Sequence, residues 1–315
     1  MKLGLLLALL LCLTGCGSGL PQPRELGEIA LMHTMTVDVG EQGEFVVTES
    51  SEGEPPRTYS VARSTLSAAC RAVRTQGEGA VFLGHVEHLL LGEGLCETGG
   101  VIPALGYFAR DEELGLGTQV WLTAGGEAAA LPPSGSAGLK RTAAEVLGDL
   151  MEDGCAAVPT AEGGYAILSR EGLRGLLSEP EARGLELLWG EPSEELMELG
   201  DGAAAVDRAV LTCIPVAEKG KIVGLELDVR LTAHLKEGEQ DLHIYKERAA
   251  VQGERWVRAA VARAQREGLD FLRLCRRAGA ARPELWKLID GQRAEGFPDW
   301  EVWVKCTVTM TDRRR

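Results

Sequence analysis

The sequence is short of aromatic residues, with fifteen Phe, Tyr and Trp among 315 positions. That leaves little ring surface for a carbohydrate-stacking platform. It has no C-x-x-C pair, which argues against a zinc-ribbon or zinc-finger module. It also has no G-x-S-x-G elbow, no Walker loop and no G-x-G-x-x-G in a strand–turn–helix setting. Basic charge is scarce: 33 Lys and Arg face 47 Asp and Glu, for a net charge of −14. Such a body is a poor nucleic-acid binder and is repelled by anionic headgroups. After the N-terminus no apolar run reaches the roughly 20 residues that span a bilayer. Nowhere do a nucleophile, a base and oxyanion donors assemble.

What the chain does have begins at its start, MKLGLLLALLLCLTGCGSG. Lys2, the apolar run Leu3–Leu13 and small residues at a cut site describe a secretory signal peptide over 1–15. The tetrad Leu13-Thr14-Gly15-Cys16 resembles the lipobox of bacterial lipoproteins. That resemblance implies cleavage before Cys16 and a thioether-linked diacylglycerol on its sulfur, and two acyl chains give the stable anchoring that one cannot. An ordinary signal peptide with a chance cysteine is the alternative. Residues 16–24 read as a lipidated tether, flexible at Gly and Ser and extended at its prolines. Cys70, Cys96, Cys155, Cys213, Cys275 and Cys306 stand singly, mostly in apolar surroundings. They are either reduced and buried or, in an exported protein, partly paired.

Residues 28–39 predict a strand, and EFVVTES (44–50) its antiparallel partner. Residues 60–75 predict a helix with Val61, Leu66, Ala69 and Val73 on one face. AVFLGHVEHLLLG (80–92) predicts one strand, 103–110 a helix and 118–124 another strand. The Ala/Gly/Ser/Pro patch 125–138 marks a boundary. A helix over 139–152, a short strand over 165–169 and a helix opening on Ser178-Glu179-Pro180-Glu181 follow. Residues 192–202 read as a second linker. Strands over 208–216 and 222–235 meet at a Lys219-Gly220 turn, with Val223, Leu225, Leu227, Val229 and Leu231 on a buried face. A long helix over 245–278, a shorter one from Pro283 to about Asp290 and a strand over 301–310 complete the chain. The class is α+β, with mixed and antiparallel sheets flanked by helices. The expected units are 25–125, 126–205 and 206–315, the last with the long helix.

His85-Val86-Glu87-His88 carries metal-ligating side chains. On a continuous strand His85 and Glu87 face one side and Val86 and His88 the other, so the two histidines cannot share an ion. The expectation is no metal and no cofactor, with one histidine hydrogen-bonded and one exposed. Arg110-Asp111-Glu112-Glu113 reads as a helix end running into a solvated loop, with a charged active-site cluster as the alternative. Arg313–Arg315 reads as a frayed end.

The order of several segments adds to this. RELGEIA (24–30), FLGHVEHLLLGE (82–93), FARDEEL (108–114) and EARGLELLWG (181–190) are followed by Gln265, Asp270, PELWKL (283–288) and Phe297-Pro298. The ordered set resembles the Ger(x)C family, the lipoprotein C subunits of spore germinant receptors in endospore-forming bacteria. The resemblance implies a three-domain, non-enzymatic lipoprotein on the outer face of the spore inner membrane. It also implies two membrane-embedded partners, an A and a B subunit, that sense small nutrients with it. Gly17–Gln22 stands where the family often has Trp-Asp and basic residues, and the chain is short after Val47 and in its middle region. Gly84, His85, Arg110 and Trp286 are the candidate interaction positions, each with a packing role as the alternative. An independent solute-binding lipoprotein or an exported hydrolase is the competing functional reading.

Overall fold

A computed structural model describes residues 29–51, 57–76, 80–110, 117–124, 138–193, 196–238 and 242–312. Its first sheet has five strands: β2 (Thr34–Val39), β3 (Phe45–Ser50), β4 (Thr58–Arg63), β6 (His88–Gly92) and β7 (Gln119–Thr123). Their order is β4-β3-β2-β6-β7, antiparallel across β4, β3 and β2 and parallel across β2, β6 and β7. Short strands β1 (Ile29–Leu31) and β5 (Ala80–Phe82) pair separately in parallel.

Three expectations change here. The strand expected over 28–39 breaks at Met32-His33, where the Met32 side chain is buried completely. The helix expected from Ser60 begins only at α1 (Leu66–Val73), capped by the Thr65 hydroxyl, which accepts from the Ala68 N–H at 3.3 Å. Residues 58–63 form a strand instead, because Tyr59 and Val61 alternate with exposed neighbours and Ser60 bonds across to Thr48 at 2.9 Å. The strand expected over 80–92 is two strands in different sheets. A turn at Gly84-His85 separates them, closed by the Val86 N–H donating to the Leu83 carbonyl at 2.9 Å.

Helices α2 (Glu93–Glu97) and α3 (Val101–Phe108) make the crossover from β6 to β7. Gly92 gives α2 no capping side chain. Asp38 on β2 supplies one, accepting from the Leu95 N–H at 2.9 Å.

The second sheet is antiparallel, β10-β9-β8, from β8 (Cys155–Pro159), β9 (Tyr165–Ser169) and β10 (Gly172–Leu176). Helix α4 (Ala143–Glu152) precedes it, closed by a Thr142–Glu145 capping box. Every residue of β8 and β9 is buried, because both faces of this sheet are covered. Ala156, Val158, Ala166 and Leu168 pack into a core shared with the first sheet. Cys155, Ala157, Tyr165 and Ile167 pack into a second core that extends to the C-terminus. One thin sheet therefore serves two cores.

Helix α5 (Glu179–Trp189) leads to the third sheet, β11-β12-β13-β14. The expected capping contact is present, with the Ser178 N–H donating to the Glu181 carboxylate at 2.8 Å. Part of the expected linker is strand β11 (Met197–Glu198). Strands β12 (Ala203–Glu218) and β13 (Lys221–Glu237) run longer than expected around the Lys219-Gly220 turn. Leu225, Leu227, Val229 and Leu231 are buried, as the alternation required, whereas Val223 is only half-buried and Ile222 is buried instead at the start of the strand. Strand β14 (Glu301–Asp312) joins β13 in parallel.

The helix expected over 245–278 is two helices: α6 (Leu242–Glu267) and α7 (Leu274–Ala281). Gly268 stops α6 in a left-handed conformation, φ 67°. Asp270 then heads α7, its carboxylate accepting from the Leu274 and Cys275 N–H groups at 2.9 and 2.7 Å. Helix α8 (Trp286–Gly296) follows a 3-10 turn over Pro283–Leu285 and runs past the expected end at Asp290. Tyr245, Ala249, Gly253, Val257, Ala260 and Ala264 form the buried stripe of α6. The α5–α6 contact is close: a Cβ on Gly184 would lie 2.1 Å from the Trp256 carbonyl oxygen.

Candidate functional site

The break between β1 and β2 sets up a polar face on the first sheet. At that break the His33 carbonyl accepts from both the Glu87 and His88 N–H groups, at 2.9 and 3.2 Å. The parallel β2–β6 register then aligns Thr34 with His88. The result is that His85, Glu87 and His88 all border His33. His33 Nε2 lies 3.2 Å from a Glu87 carboxylate oxygen; His33 is nearly enclosed and Glu87 is exposed. Ring centres of His33 and His88 are 5.2 Å apart, edge to face, and those of His33 and His85 are 6.2 Å apart. One strand over, Trp121 on β7 donates its indole N–H to His88 Nδ1 at 3.1 Å. That bond fixes His88 Nδ1 as the acceptor and puts the neutral ring's proton on Nε2.

The continuous-strand premise thus fails at the Gly84-His85 turn. His85 and Gly84 are exposed on that turn, and His88 is half-buried in β6. His33 and Trp121 are members that sequence reasoning missed. Both are placed by parallel strand pairing, for which the sequence carries no local signal.

A second polar cluster joins α4 to the C-terminal helices. Arg141 is buried and donates to the Asp149 carboxylate at 2.6 Å and to the Ala157 carbonyl at 3.3 Å. Arg273 donates twice to the same carboxylate oxygen, at 2.5 and 2.9 Å. The Trp189 ring lies 4.7 Å from the Arg141 guanidinium and 4.2 Å from that of Arg273. Asp153 accepts from Arg276 and, at 2.7 Å, from Arg293. Burial lowers the pKa of Arg141, with the Asp149 carboxylate acting against that shift. Asp270 moves the other way, its carboxyl pushed up to about 6 by burial despite its two backbone donors.

The remaining candidates lie apart. Arg110 is exposed just past the end of α3, and Asp111–Glu113 lie outside the described residues. Trp286 is half-buried against the second core, over Gly279, where a Cβ would meet its ring at 2.2 Å. Its place is one of core filling. Cys16 lies outside the described residues. No disulfide joins the six body cysteines, and all are buried. Burial pushes the thiols of Cys96, Cys213 and Cys306 up to about 12, and those of Cys155 and Cys275 up further, so none is poised as a nucleophile.

Residues that carried the resemblance also meet. Gln265 on α6 donates to the Phe297 and Trp300 carbonyls at 3.1 and 2.7 Å, one turn before Asp270 caps α7.

Residues 22–132, which hold the whole first sheet and the histidine face, match the model of the spore germination protein N-terminal domain. The first sheet and its helices are therefore similar to that domain. The fold extends the likeness beyond that domain. A solved structure described as the crystal structure of the GerBC protein superposes with a TM-score of 0.60 at 17% sequence identity, covering 88% of this chain and 96% of that one. The mixed α/β architecture of three larger sheets with flanking helices is therefore shared with GerBC. No curated protein matches the sequence. Within the matched residues the histidine face spans the β1–β2 break, the Gly84-His85 turn, β6 and β7, while the arginine cluster lies beyond them.

Proposed function

We propose that the chain is the lipid-anchored C subunit of a spore germinant receptor, a non-enzymatic protein that works by contact with membrane-embedded A and B subunits. One observation carries this reading: the match to the spore germination protein N-terminal domain begins at residue 22, shortly after the lipobox-like Leu13-Thr14-Gly15-Cys16. No helix among the described residues is long and apolar enough to cross a membrane, and the proposed attachment is the Cys16 lipid. A diacylglycerol there confines the body to a thin layer at the extracytoplasmic surface. Confinement raises its effective concentration for a membrane partner without any added contact. The units 25–125, 126–205 and 206–315 serve as the three parts of that body. The local antiparallel pairing of β8, β9 and β10 and of β11, β12 and β13 argues for this reading over a solute-binding lipoprotein, whose alternating βαβ halves would enclose a cleft.

The test is fractionation of spores carrying Cys16→Ala. The expected outcome is loss of the protein from the inner-membrane fraction, slowed germination with small nutrients, and failure to co-purify with the receptor's membrane subunits. Retention of the variant in the membrane would refute the anchor, and co-purification with an ABC permease would refute the receptor assignment.

A further inference from the structure

We propose that His33, Glu87 and His88, completed by His85, form a zinc-binding site on the first sheet. The first three already offer ligand atoms within 4.8 Å of one another. Their backbones are tied together, because the His33 carbonyl holds the amides of both Glu87 and His88. The ring spacing fits as well. Two imidazoles on one tetrahedral zinc have centres roughly 5 Å apart, given Zn–N bonds of about 2.0–2.1 Å. His33 and His88 stand at 5.2 Å. His85 stands at 6.2 Å from His33, on an exposed turn next to Gly84, where a small swing brings it in as the fourth ligand.

Ligand atoms around tetrahedral zinc lie roughly 3.3 Å apart. The three must therefore close by at most about 1.5 Å on loading; His33 and Glu87 already stand 3.2 Å apart, and the exposed Glu87 side chain can follow the His88 ring. Three imidazoles and one carboxylate suit zinc and its late-transition neighbours, whereas calcium and magnesium seek oxygen ligands throughout. With four protein ligands engaged, no position is left for a reactive water, which makes this a structural site. It would clamp the β1–β2 corner to the β5–β6 turn.

Trp121 opposes the metal. Its indole N–H donates to His88 Nδ1, so the ring's proton sits on Nε2. Zinc requires a deprotonated ring nitrogen. Entry at Nδ1 displaces the indole. Entry at Nε2 moves the ring proton to Nδ1, against the indole N–H. Either route breaks the Trp121 bond, so this residue both competes with zinc and reports its arrival.

The test uses the full chain in detergent, free of any histidine tag and stripped with chelator. Zinc chloride is titrated by calorimetry, and cobalt by its visible absorption. One zinc per chain is expected, with a Kd in the micromolar range or tighter. Glu87→Gln, His85→Ala, His33→Ala and His88→Ala should each weaken binding at least about tenfold. Trp121→Phe should tighten it several-fold and remove the fluorescence change that zinc causes in the parent. Glu87 and His85 are exposed, so their variants keep the test valid where His33→Ala fails to fold. Absence of saturable one-to-one binding below about 100 μM overturns the site. So do undiminished affinity in both Glu87→Gln and His85→Ala, or weaker binding in Trp121→Phe.

Discussion

The histidine face and the arginine cluster are two polar groups in opposite circumstances. In the arginine cluster nearly every charge meets its opposite inside the protein: Asp149 receives Arg141 and Arg273, and Asp153 receives Arg276 and Arg293. Charges arranged this way cost much to bury and even more to leave unmatched, so they fix how the helices dock. On the histidine face the groups are three imidazole rings and one exposed carboxylate at the edge of solvent. Backbone bonds from the His33 carbonyl hold the group together, with the His33–Glu87 and Trp121–His88 contacts added at its surface. A cluster of the first kind holds the fold together; a cluster of the second kind is able to accept something from outside.

The difference can be tested by breaking each in turn. The largest effect is expected from the buried pair. Asp149→Ala leaves Arg141 and Arg273 without their shared carboxylate and should cost about 3–5 kcal/mol in urea unfolding. Removing both sides with Arg141→Met and Asp149→Leu should recover much of that loss, and a double variant as unstable as the single one would show that the cluster does not act as a charge lock. Next comes Asp270, whose folded pKa of about 6 lies above its ordinary 3.8. The protonated carboxyl is the form the fold favours. Its contribution is full below pH 4 and is lost as pH rises through 6, a swing on the order of 3 kcal/mol. The stability of the parent relative to Asp270→Asn should therefore decline between pH 4 and pH 7; a flat difference would refute the assigned shift. A smaller effect, about 1 kcal/mol, is expected for Trp121→Phe in metal-free protein, from loss of the single bond to His88. His85→Ala should change metal-free stability by no more than about 0.5 kcal/mol, and a larger loss would mean that the histidine face is itself a packing device.

The sequence was most legible where periodicity ran long and one-sided. Strands β12 and β13 alternate for many residues, and their turn is marked by Lys219-Gly220. The six cysteines could be read as buried from their apolar neighbours. Strand β8 was missed for the opposite reason: CAAVP has no polar side, because both of its faces are covered, and such a run has no period to detect. The end of α6 was marked in the sequence by Gly268 and Asp270 but passed over in favour of the continuing helical spacing. The arginine cluster was invisible because Arg141, Asp149, Arg273 and Arg293 are far apart in sequence and each resembles an ordinary surface charge. In the histidine motif one ring is hydrogen-bonded and the other exposed, as the sequence suggested; only the strand differs, because a two-residue turn inside an apolar run leaves the run looking like one strand.

The thin central sheet has a mechanical consequence. Strands β8 and β9 give alternate side chains to the two cores, so the halves of the body share a wall and have no seam between them. Heat should melt the whole body in one step. A pull on the first sheet would likewise be carried straight through to the far lobe, as along a rigid lever.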